Sequence, residues 1–249
     1  MIYYEKYGDE QNPVIMLLHG SNFVHCFSNQ YDYLSKKYCV ILPHIPGFGK
    51  SSEMTYSTRL AEEKIAEFAE SLGRPSLLVG FSLGAQLCMP LICRHGELFN
   101  GTVMISPWLI KEPADIEKAM KQQSDNEKMA RSDIFIDING LAAGLNKAER
   151  QEHKEFCKSV SMKSILASID NGITIEAYPE FAGIDKPMMA IAGMKDITDV
   201  RKSVHDLARI NPHCSYDIWD GAGHNIPFKY ASKLNKTIEH FIDKNILGI

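Results

Sequence analysis

The chain has 249 residues, of which 45% are hydrophobic and 23% are charged, and its formal net charge is −4. This size and composition suit one globular domain, or one domain with an insertion. The mild acidity gives no electrostatic reason to expect nucleic acid or acidic membranes as partners, and no apolar run approaches the ~20 residues of a membrane span. The first residues, Met1 to Glu5, lack the pattern of a secretory signal, so a cytoplasmic location is the default expectation.

The first hundred residues alternate between strand and helix patterns. Continuous apolar runs such as 14–18 are typical of strands that are buried on both faces. Regular alternation of strands and helices indicates a mostly parallel sheet with helices on both faces. The predicted strands lie within 1–8 and at 14–18, 38–42, 76–79 and 102–105, and the predicted helices lie at 31–37, 58–72 and 85–94.

The pattern changes between residues 107 and 181. Strand patterns disappear there, and charged helical runs replace them. We interpret 107–181 as a helical cap, or lid, inserted into a core that consists of 1–106 and 182–249. The alternation then resumes. The predicted inserted helices lie at 115–131, 147–160 and 162–169, and the later elements are strands at 187–192 and 215–219 and helices at 200–209 and 228–244.

A G-x-S-x-G pentapeptide, Gly80-Phe81-Ser82-Leu83-Gly84, stands between a predicted strand and a predicted helix. In that context the two glycines allow a very tight turn, which exposes the serine hydroxyl above the edge of a sheet. We therefore predict Ser82 as a nucleophile. A serine hydroxyl is a weak nucleophile on its own, so this prediction requires a base, an acid and donors for an oxyanion.

The loops after the later strands supply candidates for the base and the acid. His224 follows the last strand within Gly221-Ala222-Gly223-His224, at the sheet edge where Ser82 is expected. Two aspartates compete for the third role, because Asp196 and Asp199 both follow the strand at 187–192. Asp199 stands where a helix cap is expected, so Asp196 is the predicted partner of His224.

Backbone N–H groups near Ser82 are the predicted oxyanion donors. The N–H of Leu83 follows the nucleophile, and the second donor is expected from the loop after the first buried strand, at Ser21 or, less favoured, at Asn22. Neither the cysteine pattern nor the Gly49-Lys50-Ser51 tripeptide supports a metal or a nucleotide, so no cofactor is expected. The candidate substrate contacts are Asn22, His25, His44 and Trp108, and Phe135, Ile136, Leu141 and Tyr178 are candidates for the wall of an apolar pocket.

Taken together, these motifs resemble the α/β-hydrolase superfamily. The resemblance implies an eight-stranded sheet, an inserted helical lid and a catalytic set in the order Ser82, Asp196, His224. One departure is visible, because relatives usually carry a structural aspartate where His44 stands. The motifs that carry the resemblance are His19-Gly20-Ser21, 46–51, 80–84, 193–196 and Gly223-His224.

The favoured function is a serine hydrolase acting on a small, fairly apolar ester or related carbonyl compound. Two alternatives stay open at this point. One is a carbon–carbon hydrolase or lyase that acts on a cyclic or dienoic acid with the same residues, and a lid cation paired with the substrate carboxylate would favour it. The other is a ligand-binding protein without catalysis. The expected partner is a small molecule, and the sequence leaves the oligomeric state open.

Overall fold

The structure, a computed structural model, describes residues 2–248. These residues form one seven-stranded sheet with the strand order β1-β3-β2-β4-β5-β6-β7. Only β1 is antiparallel, to β3, and every other neighbouring pair is parallel. The strands are β1 (Tyr4–Tyr7), β2 (Val14–Leu18), β3 (Cys39–Pro43), β4 (Ser76–Phe81), β5 (Phe99–Ile105), β6 (Met188–Gly193) and β7 (Cys214–Trp219).

The mostly parallel sheet is confirmed, but the expected number of eight strands is wrong. Within residues 2–248 only one strand, β1, precedes the first buried strand β2. The stretch between them, 8–13, consists of turns, bends and irregular backbone, and it is too short for another strand with its own turns. The antiparallel β1 therefore forms the edge of the sheet directly beside β3.

The helices cover a sheet whose central strands are fully buried. Every residue of β2, β3 and β4 is buried, which requires packing on both faces. The helices are α1 (Ser28–Leu34), α2 (Thr58–Ser71), α3 (Leu83–Arg94), α4 (Pro113–Asp125), α5 (Glu127–Ala130), α6 (Asp133–Ala143), α7 (Lys147–Ser159), α8 (Met162–Ile169), α9 (Thr198–Ile210), α10 (Ile226–Lys229) and α11 (Ala231–Ile242).

Helix α3 is the central helix. It packs on β2, β4 and β5, and all of its residues from Leu83 to Ile92 are buried. Helix α9 packs on β6 and β7, and its apolar face buries Val200, Val204 and Leu207. The last predicted helix is divided at Tyr230, between α10 and α11.

The segment between β5 and β6 carries five helices, α4 to α8, and no strand within the residues described. Side chains of α7 and α8 reach back to the rest of the chain. Glu149 accepts a hydrogen bond from the hydroxyl of Ser28 at 2.7 Å, and the hydroxyl of Ser164 accepts one from the backbone N–H of Tyr56 at 3.2 Å. Over residues 2–248, no helix combines the length and the apolar character needed to cross a bilayer.

Candidate active site

Ser82 stands at a sharp turn between β4 and α3. Its backbone has φ 53° and ψ −113°, a conformation that residues other than glycine rarely adopt. Both flanking glycines are required by close backbone contacts. A Cβ atom at Gly80 would lie 2.3 Å from the carbonyl oxygen of Gly84, and one at Gly84 would lie 1.9 Å from the carbonyl oxygen of Leu18. The tight packing of strand against helix therefore fixes the direction of the serine side chain.

Two backbone hydrogen bonds hold this turn on the sheet. The N–H of Ser82 donates to the carbonyl oxygen of Ile105 at 2.9 Å, and the N–H of Gly84 donates to that of His19 at 3.1 Å. The turn is thus tied both to β5 and to the loop that follows β2. Because β2, β4, β6 and β7 are parallel, the loops after their carboxyl ends meet at one edge of the sheet.

Three side chains form a hydrogen-bonded chain at this edge. The Oγ atom of Ser82 lies 3.0 Å from Nε2 of His224. The Nδ1 atom of the same ring lies 3.0 Å and 3.2 Å from the two carboxylate oxygens of Asp196. With Nδ1 protonated and facing the carboxylate, Nε2 presents a lone pair to the serine hydroxyl. This is the arrangement in which an imidazole accepts a proton from a hydroxyl.

The aspartate and the histidine differ strongly in exposure. The side chain of Asp196 is 2% exposed, whereas that of His224 is 43% exposed. Burial acts to raise the pKa of Asp196, but the hydrogen bond and the charge of His224 outweigh it, so the pKa is lowered. Asp196 is therefore a carboxylate at neutral pH. The competing Asp199 lies in the first turn of α9, where its side chain is 3.6 Å from the ammonium of Lys202.

The backbone around Ser82 offers N–H groups to an anion. Leu83 is the first residue of α3, and N–H groups in the first turn of a helix have no acceptor within the helix. Ser21 lies in the turn between Gly20 and Phe23, which form an isolated β-bridge, and it lines the cavity beside Ser82. This turn therefore faces the same space as Ser82.

His19 holds the loop that carries Ser21. Its Nδ1 atom lies 2.8 Å from the carbonyl oxygen of Gly20, and its Nε2 accepts a hydrogen bond from the N–H of Ile45 at 3.0 Å. The ring is completely buried, and burial lowers its pKa to about 3. It is therefore a neutral imidazole that donates from Nδ1 and accepts at Nε2.

Two adjoining cavities open beside Ser82. The serine cavity, of about 270 Å³, is lined by Ser82 and His224 together with apolar residues such as Phe228. The helix cavity, of about 240 Å³, lies between α4–α8 and the loop after β2. Its apolar wall includes Phe135, Ile136, Phe156, Val160 and Ile165. The two share Ser21, Asn22, Asn139 and His153.

Among the residues described, only one of the four candidate substrate contacts lines a cavity beside Ser82. Asn22 lines both cavities, whereas His25, His44 and Trp108 line neither of them within residues 2–248. Trp108 lies under the ammonium of Lys111, which is 5.3 Å from its ring centre.

Two of the four candidates for the pocket wall line a cavity, and two do not. Phe135 and Ile136 line the helix cavity. Leu141 is 60% exposed, and Tyr178 is buried beneath the guanidinium of Arg94.

His44 and His25 gather around Glu5 on β1. The Nε2 atom of His44 lies 3.2 Å from the Glu5 carboxylate, and its Nδ1 accepts a hydrogen bond from the N–H of Lys50 at 2.9 Å. His25 contacts Glu5 through Nε2 at 3.3 Å and Glu152 through Nδ1 at 2.7 Å. His44 thus supplies one acceptor to the loop in which the resemblance implies an aspartate.

The ligand atoms of Glu5, His25 and His44 lie within 4.8 Å of one another, a spacing that a metal ion would accept. The hydrogen bond from Lys50 argues against this use. Because Nδ1 of His44 is an acceptor, Nε2 of the neutral ring carries the proton. A metal at Nε2 would displace this proton and would require the imidazolate form of His44. The three side chains therefore fit a hydrogen-bonded cluster better than a metal site.

The sequence interpretation missed His153 and Asn139, which come from α7 and α6. His153, Phe156, Cys157 and Val160 line the helix cavity at the three- and four-residue spacing of one helix face. That spacing is the signal that was available in the sequence. The surrounding charges hid it, because the helix reads as a solvated charged run.

Comparisons with known proteins identify the family and the fold. Residues 15–235 match the model of the alpha/beta hydrolase family. The chain is 22% identical to a pimeloyl-[acyl-carrier protein] methyl ester esterase from Aeromonas hydrophila subsp. hydrophila, over 96% of this chain and 98% of the relative.

Solved structures show the same fold. A bromoperoxidase from Bacillus anthracis is 23% identical with a TM-score of 0.81, covering 97% of this chain and 95% of the other. MenH from S. aureus is 17% identical with a TM-score of 0.78, covering 98% and 99%. With the family match extending over most of its length, the chain belongs to the alpha/beta hydrolase family.

Proposed function

We propose that this protein is a serine hydrolase that cleaves a small, fairly apolar carboxylic ester through an acyl-enzyme on Ser82. The observation that carries the proposal is the chain of hydrogen bonds from Ser82 through His224 to Asp196. This chain links a buried carboxylate to a partly exposed imidazole, and the imidazole to a serine on a strained turn. The fold has no evident structural need for such a chain. Together the three groups suit nucleophilic catalysis.

We assign each group a step on the basis of this geometry. Ser82 Oγ attacks the ester carbonyl carbon while Nε2 of His224 accepts its proton. The imidazolium formed is stabilised by Asp196 and returns the proton to the departing alcohol. Water, deprotonated by the same Nε2, then attacks the acyl-enzyme and releases the acid and the serine. Throughout the cycle Asp196 remains ionised, as its lowered pKa requires.

The charge that develops on the carbonyl oxygen needs donors that already point toward it. We assign the N–H of Leu83 and the N–H of Ser21 to this role, with the N-terminus of α3 adding its partial positive charge. His19 supports the second donor by holding the loop through two hydrogen bonds. Loss of one such donor is expected to reduce the rate by about 10²- to 10³-fold.

We assign helices α4 to α8 the role of a cap, within an insertion spanning 107–181. They supply the apolar wall of the helix cavity, which adjoins the serine cavity. This apolar wall, together with the mutual pairing of the cavity's Glu127 and Arg131, favours an uncharged substrate arm. The Aeromonas relative carries the name of a methyl ester esterase, and this supports a carboxylic ester as the bond that is cleaved.

The lyase or carbon–carbon alternative is less favoured by the cavity's charges. Within residues 2–248, Arg131 is the one cation that lines either cavity. Its guanidinium already contacts Glu127 at 3.2 Å and donates to the carbonyl oxygens of Lys158 and Val160 at 3.0 Å. It therefore caps the end of α7 and has little capacity left for a substrate carboxylate.

Labelling with a fluorophosphonate tests the proposal directly. We expect mass spectrometry to locate the adduct on Ser82. Ser82→Ala should lower the hydrolysis of short p-nitrophenyl esters by about 10⁶-fold. The exposed Ser232→Ala serves as the matched control and should behave like the wild type. A folded protein without label at Ser82 would support the binding alternative, and activity on dienoic acids alone would support the carbon–carbon alternative.

A further inference from the structure

The imidazole of His153 has an unusual position. It lines both cavities, at the boundary between the one that contains Ser82 and the one that α4–α8 enclose. Its Nδ1 atom is buried and makes no hydrogen bond with any of residues 2–248. A buried polar atom without a partner costs free energy, so the position invites a hydrogen-bonding group that is not part of the chain.

Packing alone does not explain this residue. The ring meets Phe23 edge to face, with ring centres 5.1 Å apart, and a phenylalanine would make that contact without burying a nitrogen. Burial lowers the pKa of His153 and outweighs the opposite effect of the nearby Asn22 backbone, so the neutral imidazole is the dominant form at neutral pH. A neutral ring offers one donor and one acceptor.

Two asparagines line the same two cavities as this imidazole. They are Asn22 and Asn139, whose amide nitrogen also donates to the carbonyl oxygen of Phe135 at 2.7 Å, and we call the three residues the polar collar. Beyond the polar collar, the wall of the helix cavity is mainly apolar, and its charged pair, Glu127 and Arg131, is mutually neutralised. The boundary therefore suits an uncharged polar group that precedes an apolar chain.

We propose that His153 is a specificity residue, and that it binds an uncharged hydroxyl or carbonyl group on the longer arm of the ester substrate. This inference rests on the proposed function and narrows it. The scissile carbonyl lies at Ser82, the arm passes the polar collar, and its apolar remainder enters the helix cavity. The preferred substrate class is an ester with a hydroxyl or keto group between the ester and an alkyl tail.

The test compares matched pairs of esters. For the acyl arm, methyl hexanoate is compared with methyl β-hydroxyhexanoate. For the alcohol arm, butyl butyrate is compared with the analogue that carries a hydroxyl on its butyl group. In at least one pair the wild type should prefer the hydroxylated ester by kcat/KM. In His153→Phe, which retains the ring packing, we expect that preference to fall by about 3- to 10-fold. His153→Gln, which retains hydrogen-bonding atoms, should restore part of it.

The controls separate this inference from the proposed function. His205→Phe changes a histidine on α9 whose side chain is 57% exposed, and it should keep the wild-type preference. If His153→Phe does not fold, His153→Leu takes its place. The inference is overturned if the wild type prefers neither hydroxylated ester, or if its preference is unchanged when the imidazole is lost. In either case, fluorophosphonate labelling of Ser82 would still support the hydrolase. Failure of that labelling overturns the hydrolase itself.

Discussion

Replacement of His44 by glutamine should make folding less sensitive to acid. His44 is buried, and burial lowers its pKa from 6.5 to about 4. Between these two values the unfolded chain binds a proton that the folded chain refuses, so stability is lost as the pH falls from about 6.5 toward about 4. At pH 5 the loss amounts to about 2 kcal/mol relative to neutral pH.

Glutamine suits this test because it replaces both contacts of the neutral ring without titrating. Its amide oxygen can accept the N–H of Lys50, and its amide nitrogen can donate to Glu5. We therefore expect similar stability at pH 7. At pH 5, the variant should be more stable than the wild type by about 2 kcal/mol. His19 also resists protonation, but it contributes equally to both proteins.

The measurement is urea unfolding at pH 7 and at pH 5, with the free energy of unfolding extrapolated to water. Variant His205→Gln, at an exposed position, is the matched control and should follow the wild type at both pH values. Equal losses of stability in His44→Gln and in the wild type would refute the reasoning. That result would mean that His44 is protonated in the folded chain as readily as in the unfolded one.

Two further predictions concern the turn and the acid. Gly84→Ala should destabilise the fold by about 3 kcal/mol or more, because the new Cβ meets the Leu18 carbonyl at 1.9 Å, whereas Gly183→Ala meets nothing within 4 Å. Thermal unfolding measures both, and equal melting temperatures would contradict the close contact. Asp196→Asn should lower kcat by about 10⁴-fold with little change in KM, because the amide favours the wrong tautomer of His224. Steady-state kinetics measures this, and a loss confined to KM would remove Asp196 from the mechanism.

The strands and the turn at Ser82 could be predicted because their determinants are local. The run Val14–Leu18 begins and ends as predicted, since a strand covered on both faces needs apolar side chains at every position. The nearness of Ser82, Asp196 and His224 follows from parallel topology, which brings the loops after different strands to one edge. The catalytic roles of the three residues remain predictions for the experiments above.

What the sequence could not supply depends on tertiary packing. In α6 the apolar residues Ile134, Ile138 and Leu141 are 59–76% exposed, while Ile136 is buried, so hydrophobicity alone does not identify the inward face. The gathering of His25 and His44 around Glu5 is equally hidden. These three residues come from separate parts of the chain. The pairing of β1 with β3 brings Glu5 near His44, and the pairing of β2 with β3 brings the segment that carries His25 to the same region.

The proposed role of His153 connects the amino-terminal strand to substrate choice through the contacts of His25. Its ring joins Glu5 on β1 to Glu152 on α7, and the next residue of α7 is His153, which faces the cavities. Because Glu152 and His153 are successive residues of one helix, a shift of the first displaces the second. A fusion or cleavage that disturbs β1 should therefore alter ester selectivity, although no residue of β1 lines either cavity. The contact between Ser82 and His224 should stay unchanged. Amino-terminal tags on this protein should therefore be checked for their effect on selectivity as well as for their use in purification.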